Sequence, residues 1–175
     1  MMKRTLYPGV LSIFLLSLVP VSSYAIVDGQ TFQDWRAKCP SADKDKTPQT
    51  TCHVFQDLLQ KESGKRVLHI AIGHLPGKKP LAIIITLPLG ISLPPGLSMR
   101  IDEKDGKQVP LQACFTNGCQ TAFELEPAWQ KKLMAGNNAE VIFYNIRNQA
   151  ISIPVSLKGI TAAIRALETS APSRK

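Results

Sequence analysis

Aromatic residues are scarce, 6% of 175 positions, and the spaced motifs that mark common enzyme classes are missing. There is no H-E-x-x-H for a zinc hydrolase, no G-x-S-x-G nucleophile elbow, and neither of the glycine-rich loops that cradle phosphates. C-x-x-C is also absent, which removes the usual thioredoxin-like centre. Long hydrophobic runs are confined to the start of the chain. After Val21 the most apolar stretch is Leu81 to Leu87, far short of the roughly 20 residues that cross a bilayer as a helix. No internal repeat suggests a solenoid.

What is there begins with a leader. Lys3 and Arg4 precede an apolar run from Val10 to Val21, followed by the small residues of Ser23-Tyr24-Ala25. That order predicts a cleaved secretory signal over residues 1–25, with the cut after Ala25. Ile26, not cysteine, follows the cut, so no lipid anchor is expected there. The leader carries two basic and no acidic side chains, so its removal leaves 150 residues and lowers the formal net charge from +8 to +6. A chain of that size supports one hydrophobic core. The remaining basic residues fall in scattered pairs such as Lys78-Lys79 and Lys131-Lys132, with only eight aromatics among them. A nucleic-acid surface would need a contiguous basic stripe with stacking rings, so nucleic acid is not expected as a partner. Weak attraction to anionic envelope surfaces or glycans is compatible with the charge, and so is a merely solubilising excess.

All four cysteines, Cys39, Cys52, Cys114 and Cys119, lie beyond the leader, and an even number in an exported chain predicts disulfides. Three pairings are open. Closure of short, turn-containing loops favours Cys39 with Cys52 and Cys114 with Cys119, each worth about 2 to 3 kcal/mol in the chain-entropy model. Zinc is the rival reading, but the separations of 13 and 5 do not suit a tetrahedral site. No metal or cofactor is expected.

Short β-branched segments broken by Gly, Pro, Asn and Asp predict an antiparallel sandwich or barrel. Phe32 to Cys39 alternates as one strand with Trp35 inward, and residues 40–50 form a polar loop. Thr51 to Leu59 and Arg66 to His74 read as a hairpin about Gly64, and Leu81 to Leu87 reads as a central strand. Pro88 to Gly96 crosses between sheets; Leu97 to Asp102, Val109 to Phe115 and Gln120 to Leu125 follow as strands. Pro127 to Ala135 is predicted as a short helix and Val141 to Ile146 with Ala150 to Leu157 as a last hairpin. Ile160, Ala163, Ile164 and Leu167 then recur at helical spacing, predicting an amphipathic C-terminal helix. The domain therefore spans residues 26–168, with 169–175 as a tail.

Candidate chemistry is sparse. His53, His69 and His74 sit in or at the ends of strands, and the five-residue offset of His69 from His74 places them on opposite faces. Each is expected as a surface or satisfied core histidine. Asp102, Glu103 and Asp105 read as a solvated turn, and Glu124 with Glu126 as negative charge flanking a helix start, although the last pair share a face on which acid/base work is conceivable. No catalytic residue is assigned.

Three blocks taken in order carry a resemblance: Phe32-Gln-Asp-Trp35-Arg-Ala-Lys-Cys39, Cys52-His-Val-Phe-Gln56, and Leu87-Pro-Leu-Gly through Asp102. Cys114-Phe-Thr-Asn-Gly-Cys119, Met134-Ala-Gly136 and Ile153-Pro-Val-Ser-Leu-Lys-Gly159 follow. From Phe32 to Leu167 the chain resembles the invasion-associated locus B family of exported bacterial proteins. The resemblance implies an immunoglobulin-like β-sandwich and a periplasmic, outer-membrane-associated or secreted location in a Gram-negative bacterium. It also implies, for some members, a part in host-cell invasion, and no catalytic mechanism. Gln33 stands where glycine is common in the family, and Ile160 where an aromatic is usual. The expected function is a non-enzymatic binding protein whose partner is an envelope or host protein or glycan. A periplasmic chaperone with an exposed apolar edge, or a thiol oxidoreductase using Cys114 and Cys119, are the alternatives.

Overall fold

The computed structural model describes residues 26–40, 51–104 and 106–170. The leader and its cleavage site after Ala25, most of the polar loop, Asp105 and residues 171–175 lie outside the described residues. Among the described residues, eleven strands form two antiparallel sheets. The larger contains β1 (Thr31–Phe32), β2 (Trp35–Lys38), β3 (His53–Leu59), β4 (Arg66–His74), β5 (Leu81–Leu87), β9 (Gly118–Glu124) and β8 (Ala113–Phe115), in that spatial order. The smaller is ordered β11 (Ala150–Ser156), β10 (Asn138–Tyr144), β6 (Leu97–Ile101), β7 (Lys107–Val109). Helices α1 (Pro127–Ala135) and α2 (Ile160–Ser170) complete the fold. The expected all-β sandwich with a short internal helix and an amphipathic C-terminal helix is therefore what the chain forms. Its seven-and-four division differs from the four-and-three division of an immunoglobulin constant domain, so the established class is the antiparallel sandwich.

Alternation fixes which face is buried. Trp35 and Ala37, Val54 and Gln56, Leu68, Ile70 and Ile72, and Ile83 and Ile85 point inward from neighbouring strands. They meet Leu97, Met99, Val141 and Phe143 from the smaller sheet in one core. The smaller sheet is too narrow to cover its partner, and α2 fills the gap by burying Ile160, Ala163, Ile164 and Leu167 beside β1, β2 and β3. Leu81 to Leu87 is an interior strand, and the chain crosses between sheets after it, as the proline-rich segment predicts.

Besides shifts of one to three residues at other strand ends, three boundaries differ from the sequence expectation for an identifiable reason. Phe32 to Cys39 is two strands, because Gln33 adopts φ 54° and turns the chain within a tight hairpin. That left-handed conformation is one that glycine adopts more readily than glutamine. Val109 to Phe115 is also two strands, in different sheets, because Pro110 has no N–H for a ladder and the chain changes sheet there. Finally, α2 runs to Ser170, where the Ser170 hydroxyl accepts the Ile26 N–H at 3.2 Å, two residues into the segment expected as a tail.

The smaller sheet's long outer edge is blunted. Pro154 of β11 lies opposite Glu140 and has no N–H to offer, so the outward-facing backbone positions are Ala150, Ser152, Pro154 and Ser156. The Ser156 carbonyl already accepts Trp35 Nε1 at 3.0 Å and Gln56 Nε2 at 2.6 Å. Strand addition has little free edge left there.

Asp102 closes the β6 end. It holds φ 48°, and its carboxylate accepts the Asn138 and Asn137 N–H groups at 3.0 and 3.1 Å. Those backbone bonds, Asn138 first, hold its pKa below the ordinary 3.8. A depressed carboxylate contributes stability that is present above pH 3.8 and lost as pH falls through the lowered value. Asp102→Ala should therefore lower the urea midpoint at neutral pH and converge on wild type in strong acid. A deficit that stays constant with pH would show that the charge contributes nothing.

Candidate functional site

The larger sheet leaves its outer face without a covering helix or strand among the described residues. Its side chains run in rows set by the register. Arg36, Phe55, Ala71 and Ile84 form one row, and Asp57, His69 and Thr86 form the next. Small residues make the floor: Ala71 and Ala82 are buried although they point outward, and Gly73 lies directly opposite His53 on the neighbouring strand. A Cβ at Gly73 would come within 2.7 Å of His53 Cβ, so the absence of a side chain there lets the imidazole lie low across the sheet.

Over this floor the rings of His53, Phe55 and His69 step across β3 and β4, with centroids 6.0 and 5.6 Å apart. Asp57 Oδ1 receives His69 Nδ1 at 2.8 Å and Arg66 Nη1 at 3.4 Å. An ionised carboxylate only accepts, so the His69 proton sits on Nδ1. Burial pushes the His53 imidazole below its ordinary pKa; the positive fields of His69 and Lys38 act in the same direction and Asp28 opposes them.

A groove of about 310 Å³ runs beside the His53 and His69 rings, bordered by all three histidines, Arg66, Asn117 and Gln120. A shallower hollow of about 730 Å³ continues from it past Arg36, Asp57 and Leu89, and Arg66 and Asn117 border both. Asn117 stands at the tip of the β8–β9 hairpin, where Cys114 is bonded to Cys119 directly across the strands. Cys39 is bonded to Cys52 and ties β2 to β3 at the other end of the face.

The sequence-level candidates distribute unevenly. His69 and His74 do differ in strand parity, but β4 ends at His74 and both side chains still border one groove, a convergence that single-strand periodicity does not reveal. His74 Nε2 is buried without a hydrogen-bond partner among the described residues. Glu124 and Glu126 form no acid/base pair: Glu126 accepts Lys107 Nζ at 2.6 Å and precedes α1, while Glu124 ends β9 on the outer face. Among the described residues no cluster of three or more His, Cys, Asp or Glu could hold a metal ion, and no helix is long and apolar enough to cross a membrane. Sequence reasoning missed Phe55, Asp57 and Arg66 as parts of one site; the signal lies in the pairing of β3 with β4.

Fold and site together define a disulfide-closed, two-sheet antiparallel sandwich that carries an open, cation-bordered groove on one face. Residues 35–168 match the family described as Invasion associated locus B (IalB) protein, and the chain belongs to that family. It is 29% identical over 136 residues to the Invasion protein B homolog of Brucella abortus (strain 2308), covering 77% of this chain and 76% of that one. The homolog of the same name from Brucella abortus biovar 1 (strain 9-941) matches equally. The crystal structure of invasion associated protein b from Bartonella henselae superposes with a TM-score of 0.67 at 17% identity, over 79% of this chain and 92% of that one. That likeness concerns the fold.

Proposed function

We propose that this chain is an exported, non-enzymatic binding protein of the bacterial envelope that contributes to host-cell invasion, and that it engages its partner through the outer face of the larger sheet. Family membership and relatives named as invasion proteins support the invasion role. The leader pattern and two disulfides support export to an oxidising compartment. The observation that carries the choice of face is the groove itself with its continuation, where three histidines, two arginines and the Asn117 amide line an uncovered sheet and Phe55 packs between two of the imidazoles.

The alternatives have less to stand on. A client-binding chaperone needs an open apolar edge, and β11 is interrupted by Pro154 and occupied at Ser156. A thiol oxidoreductase needs a thiolate stabilised by a helix N-terminus or a cation, and Cys114 and Cys119 lie on two strands of a hairpin.

The test is complementation of a deletion strain. A Phe55→Ser/Arg66→Gln variant, exported at the wild-type level with an unchanged melting temperature, should leave invasion at the level of the deletion. Full restoration of invasion by that variant would remove this face from the function.

A further inference from the structure

We infer that the outer-face groove is a binding site for a uronate-bearing polysaccharide chain, a ligand class that rests on the reading of this face given above. Four features of the face select that chemistry. The small residues Ala71 and Gly73 line the groove, and the imidazoles of His53 and His69, each packed against the Phe55 ring, border it. Such a platform suits the apolar face of a sugar ring. The walls are rich in groups that both donate and accept, Thr51, Asn117 and Gln120, which match hydroxyls. His74 borders the same groove, with its Nε2 buried and unpartnered among the described residues.

Charge sets the rest. Across the groove and its continuation, Arg36 and Arg66 with three histidines face a single lining carboxylate, Asp57. Arg66 and His69 already share Asp57, which leaves Arg36 as the less engaged guanidinium and the whole strip modestly positive. A guanidinium fork matches a carboxylate bidentately. Two arginines suit a chain with widely spaced carboxylates better than a densely sulfated one, which would call for a longer cationic stripe. The groove's volume falls in the range of about 300 to 1,000 Å³ typical of small-ligand sites, and its shallow continuation makes it a track open at one end. A chain of sugars can follow such a track. An extended peptide would more readily add to a sheet edge, and the long β11 edge is interrupted.

The probes are hyaluronan oligosaccharides, the same oligosaccharides with their carboxyl groups reduced, and heparin, each titrated calorimetrically into the oxidised full chain. Hyaluronan should bind, and reduction of its carboxyls should abolish the heat. Arg36→Gln should weaken binding by about tenfold, the ratio expected for losing one charge-assisted contact. Phe55→Ser should weaken it and Phe55→Trp retain it. Lys131→Gln/Lys132→Gln, on α1, should bind as wild type. Absence of hyaluronan binding, equal affinity in Arg36→Gln, or a preference for heparin that depends on Lys131 and Lys132 would each overturn the assignment. If hyaluronan fails while the face variant still loses invasion, the ligand class falls and the face stands; if the variant also invades normally, both fall.

Discussion

Trp35→Ala should cost about 3 to 5 kcal/mol of folding free energy, the usual range for deleting a buried aromatic side chain. The indole is 1% exposed and sits where β2, β11 and α2 meet, so the surrounding backbone has little room to collapse into the void. It also bonds across the sandwich, Nε1 donating to the Ser156 carbonyl at 3.0 Å. Ser156 binds the two sheets in three ways: its carbonyl also takes Gln56 Nε2, and its hydroxyl donates to Asp34 in the β1–β2 turn at 2.5 Å. Trp35→Phe separates packing from hydrogen bonding. It keeps a ring, and Gln56 still satisfies the carbonyl, so about 1 to 3 kcal/mol is expected. Urea unfolding of the oxidised protein reads both effects as shifts in midpoint at constant slope. A loss below about 1 kcal/mol for Trp35→Ala would mean that the site relaxes and that the inter-sheet bond contributes little.

Trp35 also illustrates what a sequence reveals. Its inward direction was legible because Trp35, Ala37 and Cys39 alternate with charged neighbours, and the α2 stripe was legible because four apolar residues recur at helical spacing. Both patterns are local. The short loops between Cys39 and Cys52 and between Cys114 and Cys119 are local too, and the structure joins each pair. Where the pattern failed, one residue's backbone was responsible: Gln33 at positive φ divides a seemingly continuous strand, and Pro110 moves the chain to the other sheet. The groove was illegible for a different reason. It depends on Asp57 lying opposite His69 and Phe55 opposite Ala71, a register between strands that the alternation within either strand does not contain. The family blocks contain Trp35, Gly159 and all four cysteines, which hold the sandwich together, and also Arg36, His53, Phe55 and Asn117 of the outer face, whereas Asp57, Arg66 and His69 fall between the blocks. The part of the motif carried by Trp35, Gly159 and the cysteines is architectural.

Gly159 is the sharpest instance, and Gly159→Ala should be nearly as damaging as the loss of Trp35. The residue holds φ +87° and its missing Cβ would run into the Phe32 carbonyl of β1 and approach Gln33 Cβ at 3.2 Å. Two costs combine. A non-glycine residue held at positive φ costs about 1 to 3 kcal/mol, and forcing atoms into a packed contact costs about 1 to 3 kcal/mol more. The strain cannot be relieved locally. The Gly159 carbonyl accepts the Ala163 N–H at 3.0 Å to start α2, and α2 in turn buries Ile160, Ala163, Ile164 and Leu167 against β1, β2 and β3. Moving Gly159 away from Phe32 therefore lifts the first turn of a helix that closes the core. Gly77→Ala provides the comparison, since it has φ +71° with nothing within 4 Å of the added carbon. It should lose only the conformational part, about 1 to 2 kcal/mol. The difference between the two urea midpoints measures the close approach of α2 to β1. Hydrogen exchange locates it: in Gly159→Ala, the amides of Ile160 to Ile164 should lose protection while those of β4 and β5 exchange at a common, globally lowered limit. Equal losses for the two glycines would show that β1 yields freely and that the Phe32 contact does not hold the helix in place.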